Sequence, residues 1–318
     1  MSFPAFLSLR SCGRAVKSLL AMAAAGVLVA CGGGTSQIEP FIPSRLVAFG
    51  DELSALTPDG RKYTVNVLTD GAIDCAAQPI WVQSLASIYS FVFAECNPNN
   101  VVDPKALMRA AAGARVADVV AQVDAQLAAS GVDDGTLATV LVGGNDILDL
   151  YGNFPDVSRA TLLSQARERG AGVAAQVNRL VDAGARVIVS TVPDMGLTPF
   201  ALAEKDANTD IDRAALLSDL STEFNAGMRT TVLNDGRSVG LVLADEMVQA
   251  MKRSPSSFGV ANVTDAACTA ALPDCTTDTL VDGADASTWL WADTLRLAYN
   301  AQSRLSTLAI SRARNNPF

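Results

Sequence analysis

The chain contains no histidine, and this narrows the chemistry that its side chains can perform at neutral pH. Without an imidazole there is no His general base, no Ser-His-Asp or Cys-His triad and no His-ligated metal. Carboxylates, amides, hydroxyls, arginine and lysine remain. Polar and glycine-rich segments of such residues follow apolar runs at four places: Gly50-Asp51-Glu52-Leu53-Ser54, Gly143-Gly144-Asn145-Asp146, Val192-Pro193-Asp194-Met195-Gly196 and Trp291-Ala292-Asp293-Thr294-Leu295-Arg296.

Regular elements must bring these four segments together. Short apolar runs predict strands at Arg45–Phe49, Lys62–Leu68, Leu137–Val142, Arg186–Thr191 and Val239–Ala244. Longer periodic patterns predict helices at Ile80–Phe91, Lys105–Ala129, Arg159–Ala183 and Asp212–Leu233, another helix ending at Lys252, and a mostly helical segment at Leu290–Arg312. Strands that alternate with helices of this length predict an α/β fold: a three-layer α/β/α sandwich with a mainly parallel, flavodoxin-like sheet. Because ligands bind at the carboxyl ends of strands in such sheets, we expect the four segments to meet at one rim.

The same segments resemble the sequence blocks of the SGNH/GDSL hydrolases, a family of lipases and esterases. The family's Gly-Asp-Ser-Leu-Ser block corresponds to Gly50–Ser54, and its second block to the turn Ala112–Val116. Its Gly-x-Asn-Asp block is intact at Gly143–Asp146, and its Pro-x-x-Gly-x-x-Pro segment is Pro193–Pro199. The Asp-x-x-His block corresponds to Asp293–Arg296, so the resemblance runs from about residue 45 to about residue 312. It implies a family fold and an ancestry in carboxylic-ester hydrolysis.

The resemblance assigns a role to each position of the site. The family uses a Ser nucleophile, a His base and an Asp that orients the His, with an oxyanion hole formed by backbone and amide donors. In this chain the nucleophile position is Glu52, the His position is Arg296 and the orienting position is Asp293. The oxyanion donors correspond to Gly113 and Asn145.

Both reactive members of the family triad are therefore replaced. Arg296 cannot lose its proton and cannot act as a base, but its planar guanidinium can join two carboxylates. We expect Glu52 to point at Asn145 and Gly113 and Arg296 to bridge Glu52 to Asp293. The alternative is two unrelated losses whose side chains turn to solvent. Loss of a nucleophile or a base alone can cost about 10⁶ in kcat.

Weaker interpretations of other residues stay open beside this one. Each competes with an ordinary structural role, and the calcium-like segment lacks the glycine and the terminal glutamate that such a loop requires. We expect no cofactor and no metal site. The interpretations are a hydroxyl nucleophile at Ser54, a glycosidase-like carboxylate pair of Glu52 and Asp293, a calcium loop from Asp206 to Asp212, and an acyl or sugar groove at Trp289 and Trp291.

The first 30 residues are typical of a bacterial lipoprotein signal peptide. Basic residues and no acid come first, and an apolar stretch follows at Leu19–Ala30. The segment Leu28–Cys31 resembles a lipobox, which makes Cys31 the lipidated first residue of the mature chain. We assign residues 31–43 to a flexible tether and 44–318 to the SGNH/GDSL-hydrolase-like domain. Gly32, in place of Asp after the Cys, favours the outer membrane in the sorting scheme that this pattern resembles.

The charge balance limits the partners of the protein. The formal net charge is −9, and removal of residues 1–30 takes away three basic residues and no acid, which makes it −12. An acidic surface without a basic run excludes binding to nucleic acid through its phosphates. It also repels anionic lipid, so the lipid on Cys31 is the expected membrane attachment.

Four cysteines remain in the predicted domain after Cys12 and Cys31 are set aside. An even number in an oxidising compartment indicates disulfides, and the sequence allows three pairings. The local spacing favours Cys75–Cys96 and Cys268–Cys275, with free buried thiols as the alternative. No CxxC zinc spacing is present.

The sequence thus predicts an outer-membrane lipoprotein with an SGNH/GDSL hydrolase fold and a degenerate catalytic site. The favoured role is a pseudohydrolase that binds an envelope lipid, an acylated glycan or another protein. The alternative is an active esterase or lipase with a catalytic constellation that differs from the family's.

Overall fold

The computed structural model describes residues 41–315. The predicted signal peptide, Cys31 and most of the predicted tether lie outside this range. The sequence analysis placed residues 41–43 in the tether, but Phe41 and Pro43 pack on the domain, while Ile42 is exposed. Pro43 is buried, and the Phe41 ring lies 4.6 Å from the guanidinium of Arg186. Within the described range, no helix is long and apolar enough to cross a membrane.

Strands and helices alternate along residues 41–315. The strands are β1 (Arg45–Gly50), β2 (Val67–Thr69), β3 (Ala72–Asp74), β4 (Ala106–Met108), β5 (Thr136–Leu141), β6 (Arg186–Ser190), β7 (Val239–Val242), β8 (Asn262–Ala266) and β9 (Trp289–Trp291). The helices are α1 (Trp81–Ser87), α2 (Val116–Ala129), α3 (Gly144–Tyr151), α4 (Arg159–Asp182), α5 (Pro199–Ala207), α6 (Arg213–Thr231), α7 (Ala244–Arg253) and α8 (Tyr299–Asn315). Short 3₁₀ turns lie at Met195–Leu197 and Pro255–Phe258.

The central sheet has five parallel strands in the order β4-β1-β5-β6-β7. The chain runs from β1 to β4 on one side and then crosses to β5 on the other side of β1. The strand order therefore reverses between β1 and β5, and the crevice at such a reversal is the usual ligand position in open α/β sheets.

Both faces of the sheet are covered, because the side chains of β1 alternate between two cores. Leu46 and Ala48 pack in a cluster with residues of α1, α7 and α8, whereas Val47 and Phe49 pack with residues of α2, α4 and α6. All four side chains are fully buried. This arrangement confirms the predicted three-layer α/β/α sandwich with a mainly parallel sheet.

One predicted helix is wrong in its first half. Lys105–Ala129 was expected to be a single helix, but Ala106–Met108 forms strand β4 and the helix begins only at Val116. Alanine-rich sequence favours a helix locally, yet pairing of Ala106 with Leu46 places this segment at the edge of the sheet. Tertiary pairing therefore overrides local propensity.

Two further boundaries differ from the sequence prediction. Lys62–Leu68 is not a continuous strand, because the Asn66 side chain donates to the carbonyls of Lys62 and Thr64 and folds the segment into a turn. The C-terminal helix starts at Tyr299 rather than Leu290, since β9 and a turn at Asp293 come first.

The structure confirms both predicted disulfides. Cys75 and Cys96 are bonded with a Cα–Cα distance of 5.7 Å, and Cys268 and Cys275 with one of 5.8 Å. Both bridges lie outside the central sheet, and one cysteine of each, Cys96 and Cys275, is buried.

Candidate functional site

The turn after β1 places Glu52 at the rim of the sheet. Gly50 has φ +130°, and a Cβ there would lie 1.9 Å from the carbonyl oxygen of Leu141 on β5. Only glycine fits such a close approach of two strands. The backbone N–H of Asp51 then donates to the same oxygen at 3.0 Å, which fixes the turn. Glu52 follows, between the carboxyl ends of β1 and β5.

The turn after β5 places Asn145 opposite Glu52. Gly143 has φ +134°, and a Cβ at this position would lie 2.4 Å from Cζ of Phe224. Helix α3 begins at the next residue, so Asn145 lies in its first turn. A third glycine, Gly113 with φ +73°, precedes α2 and turns its N–H toward the same point.

The Glu52 carboxylate accepts hydrogen bonds at both oxygens. Oε2 accepts from the backbone N–H of Gly113 and from Nδ2 of Asn145, each at 2.9 Å. Oε1 accepts from Nε of Arg296 at 3.0 Å and from Nη2 at 2.7 Å. Four donors from three parts of the chain thus converge on one carboxylate.

Asp293 completes the line and orients the arginine. Its Oδ1 accepts from the backbone N–H groups of Leu295 at 2.8 Å and of Arg296 at 2.6 Å, which closes the turn after β9. Its Oδ2 accepts from Nη1 of Arg296 at 3.0 Å. The guanidinium is therefore held between two carboxylates, as the sequence analysis expected.

The charges of the site stabilise one another. Burial on its own would raise the pKa of Glu52, but the Arg296 charge and the Asn145 amide outweigh it, and the pKa lies below its ordinary value. Burial would likewise lower the pKa of Arg296, but Asp293 and Glu52 raise it. Glu52 and Arg296 are therefore ionised at neutral pH, and Arg296 is no acceptor for a proton.

A second buried carboxylate, Asp51, lies beside Glu52. Its side chain is 2% exposed, and burial followed by the neighbouring Glu52 charge raises its pKa well above the ordinary value. Its Oδ1 accepts from the backbone N–H of Leu53 at 3.0 Å. The sequence analysis quoted Asp51 without assigning it a role; the signal was its position directly after a strand that ends in glycine.

The cavity beside Glu52 is small. The cavity there has a volume of about 20 Å³ and is lined by residues that include Glu52, Asn145, Pro193 and Arg296. This is room for about one water molecule.

The weaker interpretations from the sequence do not gain support from the geometry. Ser54 is fully buried and its Oγ accepts from the indole N–H of Trp81 at 3.2 Å, so it packs in the core. Trp291 is also fully buried. Asp210 pairs with Arg213, and Asp212 caps α6. Glu52 and Asp293 are joined by the arginine rather than open to a sugar. In the part of the chain that the structure describes, no three acidic or cysteine side chains are grouped to hold a metal.

Among the comparisons with known proteins, only the search of solved structures finds similar chains. No protein-family model and no curated protein matches the chain. Among solved structures, a member of the lipolytic G-D-S-L family from Veillonella parvula aligns over 84% of this chain and 96% of its own, with 10% identity and a TM-score of 0.41. Axe2, an acetylxylan esterase from Geobacillus stearothermophilus, aligns over 86% of this chain and 95% of its own, with 13% identity and a TM-score of 0.43. Likeness at this level defines neither an activity nor a substrate.

The parallel sheet, the order of the sequence blocks and their place at the strand ends define an SGNH/GDSL hydrolase-like fold. At the position of the reactive residues this fold carries a Glu52–Arg296–Asp293 line instead of Ser, His and Asp.

Proposed function

We propose that this protein is an outer-membrane lipoprotein and a pseudohydrolase, which binds an envelope lipid, an acylated glycan or another protein without hydrolysing an ester. The observation that carries the proposal is that the Glu52 carboxylate occupies the donors of the predicted oxyanion hole. Its Oε2 takes the Gly113 and Asn145 donors at 2.9 Å each, and in the resembling family these donors serve the oxyanion.

The charges support the absence of the family's chemistry. An ester carbonyl needs a nucleophile whose proton goes to a base as the new bond forms. Glu52 is ionised and engaged on both oxygens, and Arg296 has no free acceptor atom. The site therefore holds neither partner of that proton transfer.

The small cavity at the site indicates that a ligand or partner binds to the surface around Glu52 and Arg296, and not inside the cavity between them. The cavity at Glu52 and Arg296, about 20 Å³, admits a water molecule but no acyl group, whereas a cavity of about 610 Å³ lies beside Gly113. A ligand or partner of this rim would contact Glu52 and Arg296 from outside, without entering the hole.

The second candidate function is an active ester hydrolase whose catalytic residues differ from those of the family. The hydrolase-like fold favours this candidate. We expect the purified protein to hydrolyse p-nitrophenyl acetate, butyrate and palmitate no faster than its Asn145→Ala variant. Removing one oxyanion donor from a working site lowers kcat by about 10²–10³. If the wild type hydrolyses these esters, and Asn145→Ala lowers its turnover by such a factor while circular dichroism shows an unchanged fold, the protein is an esterase and the pseudohydrolase proposal is wrong.

The binding half of the proposal has its own test. Protein isolated from its native membrane is denatured, and the molecules that it releases are identified by mass spectrometry. An acyl-bearing lipid or glycan, or a stoichiometric protein, is the expected result. Release of none of these from an intact sample would contradict the binding role.

A further inference from the structure

A second, larger cavity lies beside β7, the last strand in the order of the central sheet. Its volume is about 430 Å³, within the range of about 300–1,000 Å³ that is usual for small-molecule sites. It shares no lining residue with the cavity at Glu52. Nothing in the proposed pseudohydrolase role uses it.

The floor of this cavity is apolar. Leu241 and Val242 of β7, Met247 of α7 and Phe258 of the 3₁₀ turn all line it. Three structural elements thus converge to form an aliphatic and aromatic surface, which favours the burial of a hydrocarbon chain.

The rim comes from α8 and is basic. Arg304, Leu308 and Arg312 are spaced by four residues, so they project from one face of the helix, and all three line the cavity. Leu308 is 38% exposed, which is unusual for a large apolar side chain in this chain.

The two arginines of the rim have no carboxylate partner within residues 41–315. The acid that lines the cavity, Glu246, lies 3.6 Å from Arg229 instead. Arg304 is held in place, because Nη2 donates to the carbonyl of Phe258 at 3.3 Å and the guanidinium lies 5.8 Å from the ring of the same residue. In a protein of net charge −9, this is a local basic site with an oriented donor.

We propose that this cavity binds an amphiphile with one aliphatic chain and an anionic head group. The chain lies on Leu241, Met247 and Phe258, and the head group accepts hydrogen bonds from Arg304, with Arg312 adding positive charge. The guanidinium fork matches both carboxylate and phosphate. A free fatty acid and a lysophospholipid therefore share the required chemistry.

Isothermal titration calorimetry of the full-length protein with three ligands, each of which carries a ten-carbon chain, tests the proposal. The ligands are decanoate, decanoyl-lysophosphatidylglycerol and decyltrimethylammonium. We expect at least one anionic ligand to bind at one site at least tenfold more tightly than the cation. The stronger of the two anions distinguishes a fatty acid from a lysophospholipid. Equal affinity for the cation, or no binding of either anion, would overturn the proposal.

Variants locate the site. Arg304→Gln with Arg312→Gln should weaken anion binding at least tenfold, whereas Arg237→Gln with Arg253→Gln, which removes the same charge elsewhere, should leave it unchanged. Equal effects of the two double variants would show general electrostatic attraction instead of a site.

The oligomeric state tests whether a second copy of the chain covers this cavity instead. Sedimentation is measured for the wild type and for Leu308→Asp. A wild-type dimer that Leu308→Asp dissociates would make this face a self-interface and overturn the ligand proposal.

Discussion

The Glu52–Arg296 contact joins a carboxylate side chain that is 6% exposed to a guanidinium side chain that is 27% exposed. Removing one partner leaves the other buried without its counter-charge, and such changes cost about 3–5 kcal/mol. We expect Arg296→Ala to lower the free energy of unfolding by this amount in urea denaturation at pH 7. Arg167→Ala, which breaks the more exposed pair with Glu223, is the matched control and should cost about 1 kcal/mol or less.

Acidification tests the same contact from the carboxylate side. The pKa of Glu52 is lowered in the folded state, so its stabilisation is present above its ordinary pKa of 4.5 and is lost as the pH falls through the folded value. The penalty of Arg296→Ala should therefore shrink below pH 4.5. A penalty that stays constant down to pH 2 would assign it to lost packing instead.

Restoring the family residues tests whether the rest of the site is intact. Glu52→Ser together with Arg296→His rebuilds a Ser-His-Asp line with Asp293, beside the unchanged donors Gly113 and Asn145. We expect the double variant to gain measurable hydrolysis of p-nitrophenyl acetate and both single variants to show none. A double variant that folds but stays inactive would indicate that the acyl groove is lost as well.

At this scale the sequence predicted the site well, because each member follows the end of an element. Glu52 follows β1 and Asn145 lies in the first turn of the helix after β5, and these two neighbouring parallel strands bring their carboxyl ends to one rim. Asp293 follows β9, which pairs with β8 outside the central sheet, so its place beside Arg296 came from the family resemblance and not from the sheet. The role of Asp51 and the closeness of Tyr63, whose pKa is raised by burial and then by the Glu52 charge, could not be predicted. Both depend on burial, which is a property of the folded chain.

Among the elements, the segment before α1 is organised around a buried cation. Lys62 is fully buried, and its Nζ donates to the carbonyls of Ala77 at 2.5 Å, Gln78 at 3.3 Å and Cys75 at 3.5 Å. Burial lowers its pKa to about 8, and Asp74 offsets only part of this effect. The cation thus connects the turn at Lys62 to residues 75–78, at the start of the disulfide loop and before α1.

This burial gives the protein a distinct alkaline behaviour. Between pH 8 and pH 10.5 the unfolded chain keeps a proton on Lys62 that the folded chain has released, so stability rises with pH. The shift corresponds to about 3 kcal/mol over this window. We expect Lys62→Met to remove that rise in denaturation curves at pH 7.5, 9 and 10.5. A difference between wild type and variant that does not change with pH would refute the assignment to Lys62.

Long strands could be predicted from the sequence pattern, whereas a short strand could not. The long strands β1, β5 and β6 are buried on both faces, and their apolar runs predicted them. The three-residue strand β4 gave no such signal, because only its pairing with β1 makes it a strand. Short elements that depend on a partner distant in sequence carry little local information.

For the whole molecule, the proposed attachment to the membrane depends on Cys31, which lies outside the described range. If Cys31 carries the lipid, Cys31→Ser should move the protein from the outer-membrane pellet to the soluble fraction in high salt. The acidic domain, with its net charge of −12 after cleavage, is repelled by anionic lipid and does not hold the protein at the membrane by charge. Cys12→Ser is the matched control and should stay membrane-bound. Continued sedimentation of Cys31→Ser in high salt would show that the attachment lies elsewhere.

The four donors on Glu52 also constrain how the sequence can change. Glu52→Ser alone leaves Arg296 facing Asp293 with half of its partners gone, and Arg296→His alone leaves the buried carboxylate without its bidentate cation. We expect each single variant to be less stable than the wild type, and the double variant to lose less than the two single losses added together, which is coupling between two positions 244 residues apart in the chain. Substitutions at one of the two positions are therefore expected to be tolerated better when the other position changes with it.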